Sequence, residues 1–153
     1  MPLTAIYGHY ALHTHVTFDG EPPTVDERRA WLRDHRLDPR HVVLVAEHDG
    51  AVVGYAASGR HRPRPGYDTT VETAVYAHPD HTGRGVGTAL YEELFRALQG
   101  QDVHRAVAGI ALPNPASVAL HERFGFREVG RFTEQGRKFG RWWDVAWYER
   151  PLD

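Results

Sequence analysis

A β-branched run from Thr69 to Tyr76 leads into His78-Pro79-Asp80-His81-Thr82-Gly83-Arg84-Gly85-Val86-Gly87, and an amphipathic segment reaching Leu98 follows at once. The run predicts a strand, the glycines at 83, 85 and 87 predict a turn stripped of side chains, and the apolar spacing beyond predicts a helix ending at Gly100. A strand, a glycine turn and a helix in that order leave the first backbone N–H groups of the helix pointing at whatever lies over the turn. Those donors, with the positive end of the helix dipole, suit a phosphate or pyrophosphate.

The remaining segments set the frame for that unit. Leu3, Ile6, Tyr7, Tyr10 and Ala11 recur at helical spacing. Thr24-Val25-Asp26-Glu27 reads as a capping box opening a helix with Trp31 and Leu32 on its buried face. Val42 to Glu47 and Ala51 to Ser58 read as strands joined through His48-Asp49-Gly50, and residues 59–68 as an exposed Arg- and Pro-rich loop. Val103 to Ala111 reads as a strand, and Asn114 caps a helix that Gly125 stops. Phe126 to Phe132 and Trp142 to Tyr148 alternate as an antiparallel pair around a loop at Gly136 and Gly140. The order ααβββαβαββ predicts one α/β domain over residues 1–153, with hairpin-connected strands first.

Bulk properties exclude several classes. A net charge of −2 offers nothing to nucleic acid or to an anionic membrane, and no apolar run approaches the ~20 residues of a membrane span. There is no cysteine, hence no disulfide and no thiol nucleophile. Without a basic-then-apolar leader pattern at the N-terminus, the expectation is a cytoplasmic protein. The 11 histidines, among them His9, His13, His78 and His81, form no clear tetrahedral ligand set with Cys or carboxylates, so no metal is expected.

Three phosphate-binding readings of the turn compete. A nucleotide loop needs Gly-Lys-Ser/Thr at its end, and the only lysine is Lys138, far away. A dinucleotide loop needs Gly-x-Gly-x-x-Gly and an acid ending the next strand, which here ends Gly109-Ile110-Ala111-Leu112. The third reading is an acyl-CoA loop. Thr82-Gly83-Arg84-Gly85-Val86-Gly87 resembles the Arg/Gln-x-x-Gly-x-Gly/Ala loop of the GNAT N-acetyltransferases, with Thr82 in place of the Arg or Gln. Three further segments resemble the phosphinothricin and methionine-sulfoximine acetyltransferase branch, in order along the chain. They are Thr70-Val71-Glu72-Thr73-Ala74-Val75-Tyr76, the stretch from Asn114 through Ser117, Leu120 and His121 to Gly125-Phe126, and Gly136-Arg137-Lys138-Phe139-Gly140-Arg141-Trp142.

The resemblance implies a GNAT fold: a mixed, mostly antiparallel central sheet flanked by helices. Members begin with an Ile-Arg-x-Ala strand, whereas Met1-Pro2-Leu3 already reads as the first helix, so either the start is mis-assigned or the sheet lacks that strand and leaves an edge open to pairing. The implied donor is acetyl-CoA, with pyrophosphate on the backbone of Gly83, Arg84, Gly85, Val86, Gly87 and Thr88, and the acyl arm along Val75, Tyr76 and Ala77. Backbone contacts of this kind survive Thr82. Arg84 adds charge there or is simply an exposed arginine. Asn114 and Ser117 are a cap and first-turn residue, CoA contacts, or both.

Acetyl transfer needs a neutral amine, charge stabilisation on the carbonyl oxygen, and a proton for the leaving thiolate. Glu72, expected in an enclosed apolar setting, is the implied base, its alternative being an exposed or salt-bridged strand residue; a backbone N–H near Val75 is the implied oxyanion donor. His121 stands where many members carry a proton-donating Tyr, and reads as acid, second base or packing residue. Arg62, Arg64, Thr73, Lys138 and Phe139 are the implied acceptor contacts, Lys138 and Phe139 from the same subunit or, because the branch is usually dimeric, from a neighbouring one. Tyr10 and Phe18 read as pocket walls or core. The implied acceptor is a small amino-acid-like amine of the phosphinothricin, methionine sulfoximine or methionine sulfone type. Peptide N-termini, polyamines and a non-catalytic acyl-CoA-binding module are the rivals.

Overall fold

The computed structural model describes residues 1–152. Helices α1 (Pro2–His13) and α2 (Val25–His35) precede strands β1 (Val43–His48), β2 (Ala51–Arg60) and β3 (Thr70–Ala77). Then come α3 (Val86–Leu98), β4 (Arg105–Ala111), α4 (Pro115–Arg123), β5 (Arg127–Lys138) and β6 (Arg141–Pro151). The strands form one mixed sheet in the order β1-β2-β3-β4-β6-β5, in which only the β3–β4 pair is parallel. This is the α/β class and the mostly antiparallel sheet that the sequence predicts, with β1 and β5 at its edges.

Local chemistry accounts for the ends of these elements. At α2 the Thr24 hydroxyl accepts from the Glu27 N–H at 3.2 Å while Glu27 Oε2 accepts from the Thr24 N–H at 2.7 Å, a complete capping box. Asp49 and Gly50 both take positive φ and close the β1–β2 hairpin in two residues. The faces of the sheet then divide the helices. α3 buries Leu90, Leu94 and Leu98 against Val71, Ala106 and Ile110 on one face. Leu3 and Ile6 of α1 meet Tyr55 on the other, with Tyr7, Tyr10, Trp31 and Tyr76 around them.

Two expectations change here. Trp31 and Leu32 of α2 are only partly buried, and the deeply buried residue of that helix is Arg28. Its guanidinium sits 5.0, 4.6 and 5.7 Å from the ring centres of Tyr7, Trp31 and Tyr55. The ring faces compensate the cation for lost water, which no apolar pattern reveals. The last two strands are also far longer than expected. β5 continues through Gly136 to Lys138, and the turn is only Phe139-Gly140, both at positive φ. Residues 133–137 are exposed or nearly so on an edge strand, so they carry no alternation to read.

Lys138 ties this hairpin to the far end of the chain. Its ammonium donates to the backbone carbonyls of Ala11, Thr17 and Asp19 at 2.6, 2.8 and 2.8 Å. The hairpin thereby holds the end of α1 and the loop after it.

Candidate active site

β3 and β4 pair over three positions only, Thr70↔Arg105, Val71↔Ala106 and Glu72↔Val107. Beyond Glu72 the two strands diverge, and the backbone groups they turn towards each other have no ladder partner there. A cleft of about 530 Å³ opens in the gap, walled by Thr73 to Ala77 on one side and Ala108 to Ala111 on the other. It runs to the start of α3, past Gly83, Gly85 and Gly87.

The glycine turn is built as its sequence demands. Gly83 and Gly85 take φ of 72° and 78°, the left-handed region that other residues enter only with strain. Gly85 is the N-cap of α3 and offers no side chain to the first-turn N–H groups, so these stay available to a ligand. α3 is seated tightly: a Cβ at Gly54 of β2 would lie 2.7 Å from Val86 Cγ1 and 3.0 Å from the Tyr76 carbonyl oxygen. Thr82 turns its hydroxyl to the Pro79 carbonyl at 3.3 Å. A cradle of free N–H groups joined to two diverging strands fits a diphosphate carrying a peptide-like arm, which is the shape of acetyl-CoA.

Most of the expected donor-side residues meet in this one cleft. Val75, Tyr76, Ala77, Val86 and Thr88 line it with the glycines, and so do Thr73, Asn114, Ser117 and His121. Asn114 Oδ1 accepts from the Ser117 N–H at 3.2 Å, so capping α4 and facing the cleft are compatible. Arg84 is exposed and outside the lining. Arg123 and His81, not anticipated from the sequence, line the cleft as well, and Arg123 donates to Thr88 Oγ1 at 2.9 Å.

His121 is buried and engaged at both ring nitrogens. Nδ1 lies 2.7 Å from the Ser117 carbonyl, which can only accept, so Nδ1 carries the proton and Nε2 accepts from the Tyr91 hydroxyl at 2.9 Å. Tyr91 Oη is also 3.3 Å from Thr73 Oγ1. Burial pushes the imidazole pKa below its usual value, with the Ser117 carbonyl opposing. An unfolded histidine titrates near about 6.5, so the stability from keeping this ring neutral is full above that pH and is lost as pH falls through it. His41, also pushed down by burial, acts with the same sign. Denaturation midpoints at about pH 7.5 and about pH 5.5 should therefore show a smaller acid loss in His121→Asn than in the wild type. Equal losses would remove His121 from the acid response.

Glu72 is placed differently from the apolar enclosure expected of it. Its side chain is 41% exposed, and Oε2 lies 3.2 Å from His61 Nδ1. It shares the sheet face of α1 and α2, because Val71 and Thr73 turn to the other face. His61 in turn lies 6.1 Å, ring to ring, from both Tyr67 and Trp147. No motif marked His61, Tyr91 or Trp147, since each acquires its role from partners distant in sequence.

The expected acceptor contacts are dispersed. Arg62 and Arg64 are exposed in the loop between β2 and β3, outside the cleft lining. Phe139 is exposed at the hairpin tip. Lys138 spends its three N–H groups on backbone carbonyls, leaving none for an acceptor on either subunit, so the expected acceptor contact is a structural tie instead. Tyr10 does line the cleft and donates to the Ala77 carbonyl at 2.5 Å, whereas Phe18 is neither core nor lining. Among the described residues no three His, Asp or Glu side chains gather where they could hold a metal ion. No helix among them is long and apolar enough to cross a membrane.

A splayed parallel pair ending at a glycine-rich helix start defines an acyl-CoA-dependent transferase, and the chain belongs to the acetyltransferase (GNAT) family, whose model matches residues 6–126. It is 55% identical over 153 residues to a phosphinothricin N-acetyltransferase of Streptomyces coelicolor, covering 99% of this chain and 90% of that protein. It is 38% identical over 151 residues to the L-methionine sulfoximine/L-methionine sulfone acetyltransferase of Salmonella typhimurium, covering 99% and 88%. A phosphinothricin acetyltransferase of Sinorhizobium meliloti, solved with acetyl-CoA, superposes with a TM-score of 0.92 at 34% identity, over 98% of this chain and 81% of that one.

Proposed function

We propose that residues 1–153 form one acetyltransferase domain that moves the acetyl group of acetyl-CoA to the α-amine of a small amino-acid-like acceptor. The acceptors are of the phosphinothricin, methionine sulfoximine or methionine sulfone type, after the relatives' own substrates. The carrying observation is that the β3–β4 splay begins at Glu72, so a carboxylate stands at the point where a donor lying in the gap would meet an amine on the other face. Two arginines in the adjoining loop, Arg62 and Arg64, suit an acceptor carboxylate or phosphinate.

Acetyl-CoA supplies an acyl thioester. Glu72 removes the ammonium proton, directly or through one water, which its exposure permits. A backbone N–H near Val75, released by the splay, receives the charge that develops on the carbonyl oxygen. The first-turn N–H groups of α3 with Gly83, Arg84 and Gly85 take the pyrophosphate, while Asn114 and Ser117 border the arm. His121, neutral and bonded at both nitrogens, holds Tyr91 in place behind Thr73. Transfer is direct, because the chain has no cysteine to carry the acetyl group.

A homodimer and a cytoplasmic location belong to the same reading. Val129, Phe132, Phe139 and Trp142 are all more than half exposed on the β5–β6 hairpin, an apolar stretch suited to a second copy. In that assembly the exposed Phe139 closes the neighbour's acceptor site. The test mixes the protein with acetyl-CoA and a panel of phosphinothricin, methionine sulfone, methionine, spermidine and an alanine-terminated peptide, following free thiol. Release with the first two supports the reading. Release only with spermidine or the peptide replaces the acceptor class, and silence with intact CoA binding leaves a binding module.

A further inference from the structure

Glu72 and its surroundings do not account for one buried donor on the same sheet face. The register Glu72↔Val107↔Glu149 carries that face across β3, β4 and β6. Two residues on, Gly109 of β4 faces Trp147 of β6. A Cβ at Gly109 would lie 3.0 Å from Cη2 and Cζ2 of the indole and 3.3 Å from Cε2, so the absent side chain is what allows the ring to rest flat on β4. Gly109 itself lines the cleft. The indole therefore packs on the strand that walls the cleft, without lining the cleft itself, and lies 6.1 Å from the ring of His61, the partner of Glu72.

The Nε1–H of Trp147 is buried and has no acceptor among the described residues. Trp143, four residues earlier on β6, shows the usual arrangement: its Nε1–H donates to the Lys138 carbonyl at 2.9 Å. A buried donor left without an acceptor costs about 1–3 kcal/mol, so such a group calls for a ligand or a bound water to complete it. Nothing in the transfer chemistry uses it, because the proton acceptor, the oxyanion donor and the pyrophosphate donors are all elsewhere.

We propose that Trp147 determines acceptor specificity, its indole N–H donating to an oxygen on the side chain of the acceptor amino acid while Glu72 addresses the α-amine. This rests on the acceptor class proposed above, whose members carry a phosphinate, sulfoximine or sulfone oxygen. An N–H fixed against β4 rewards an acceptor with that oxygen and gives nothing to one without it, such as methionine. Gly109 is the companion requirement, since any larger residue there would lift the ring off the strand.

The test compares wild type with Trp147→Phe, which keeps an aromatic ring and removes the donor. The preference for methionine sulfone over methionine, as a ratio of kcat/KM, should fall about ten-fold, the worth of one such hydrogen bond. The KM for acetyl-CoA and the melting temperature should stay close to wild type. An unchanged preference, or an equal loss on both acceptors, overturns the proposal. A second measurement needs no variant to function. In ¹⁵N-labelled wild type, methionine sulfone added with CoA should move the Trp147 indole resonance, identified by its absence from Trp147→Phe. Turnover of methionine sulfone with that resonance unmoved would mean the donor is satisfied by a bound water only, and the proposal fails while the acceptor class stands. No turnover of any panel member overturns the acceptor class itself.

Discussion

Glu72→Ala should lower kcat for amino-acid acetylation at neutral pH by about a hundred-fold or more, the usual worth of a positioned general base. An α-amine is mostly protonated near neutrality, so without the carboxylate only the small neutral fraction can attack. The defect should shrink as pH rises, because the amine then loses its proton unaided. Thiol release at about pH 7 and about pH 9.5 measures both parts. CoA affinity should change little, since the glycine turn and the splayed strands lie beyond the point where β3 and β4 pair. A full rate at neutral pH in the variant would exclude Glu72 as base. His61, 3.2 Å from the carboxylate, would be the next group to replace.

The second large effect falls on stability. Lys138→Met keeps most of the aliphatic stem and removes the ammonium that joins Ala11, Thr17 and Asp19 to the β5–β6 hairpin. Three donors to backbone carbonyls disappear from a site where the lysine is only 8% exposed. The expected loss is about 3 kcal/mol or more, because hydrogen bonds to charged groups are the strong ones and the carbonyls are left without partners. For a chain of this size that lowers Tm by roughly 6–12 °C. Lys138→Arg should recover only part of it, since a planar guanidinium cannot spread donors to three carbonyls as an ammonium does. A melting curve for Lys138→Met within a degree of wild type would show that packing alone holds the hairpin to α1.

These two residues show where sequence reading succeeds and where it stops. Glu72 could be located because a lone carboxylate in a β-branched strand is visible locally, and because a recognisable strand motif surrounds it. Its environment was not visible. The half-exposed pairing with His61 depends on the antiparallel β2–β3 register, which sets Gly59 opposite Glu72 and so brings the residue just after β2 to the carboxylate. Lys138 could be noticed as the only lysine, but its role depends on Ala11, 127 residues away. Nothing in its own neighbourhood signals three carbonyls, so an acceptor contact and a structural tie read alike. His121 is similar. Its helix and cap were legible from Asn114, whereas the buried link to Tyr91 crosses 30 residues.

Taken alone, the sequence determined most of the elements and a phosphate-binding turn, which the family resemblance assigned to acetyl-CoA. Glycines at 83, 85 and 87, the Thr24–Glu27 box, the Asn114 cap and the Asp49-Gly50 turn each act over a few residues. Backbone sterics and nearby hydrogen bonds decide them before any distant contact forms. Only the tertiary structure decided where β3 and β4 part, how exposed the Glu72 carboxylate is at that point, and which indole on the same sheet face is left with an unused N–H. Those are properties of register and of crossing chains. Strand pairing joins residues by position across the sheet, as it joins Gly109 to Trp147, and such pairs leave no spacing in the sequence to read.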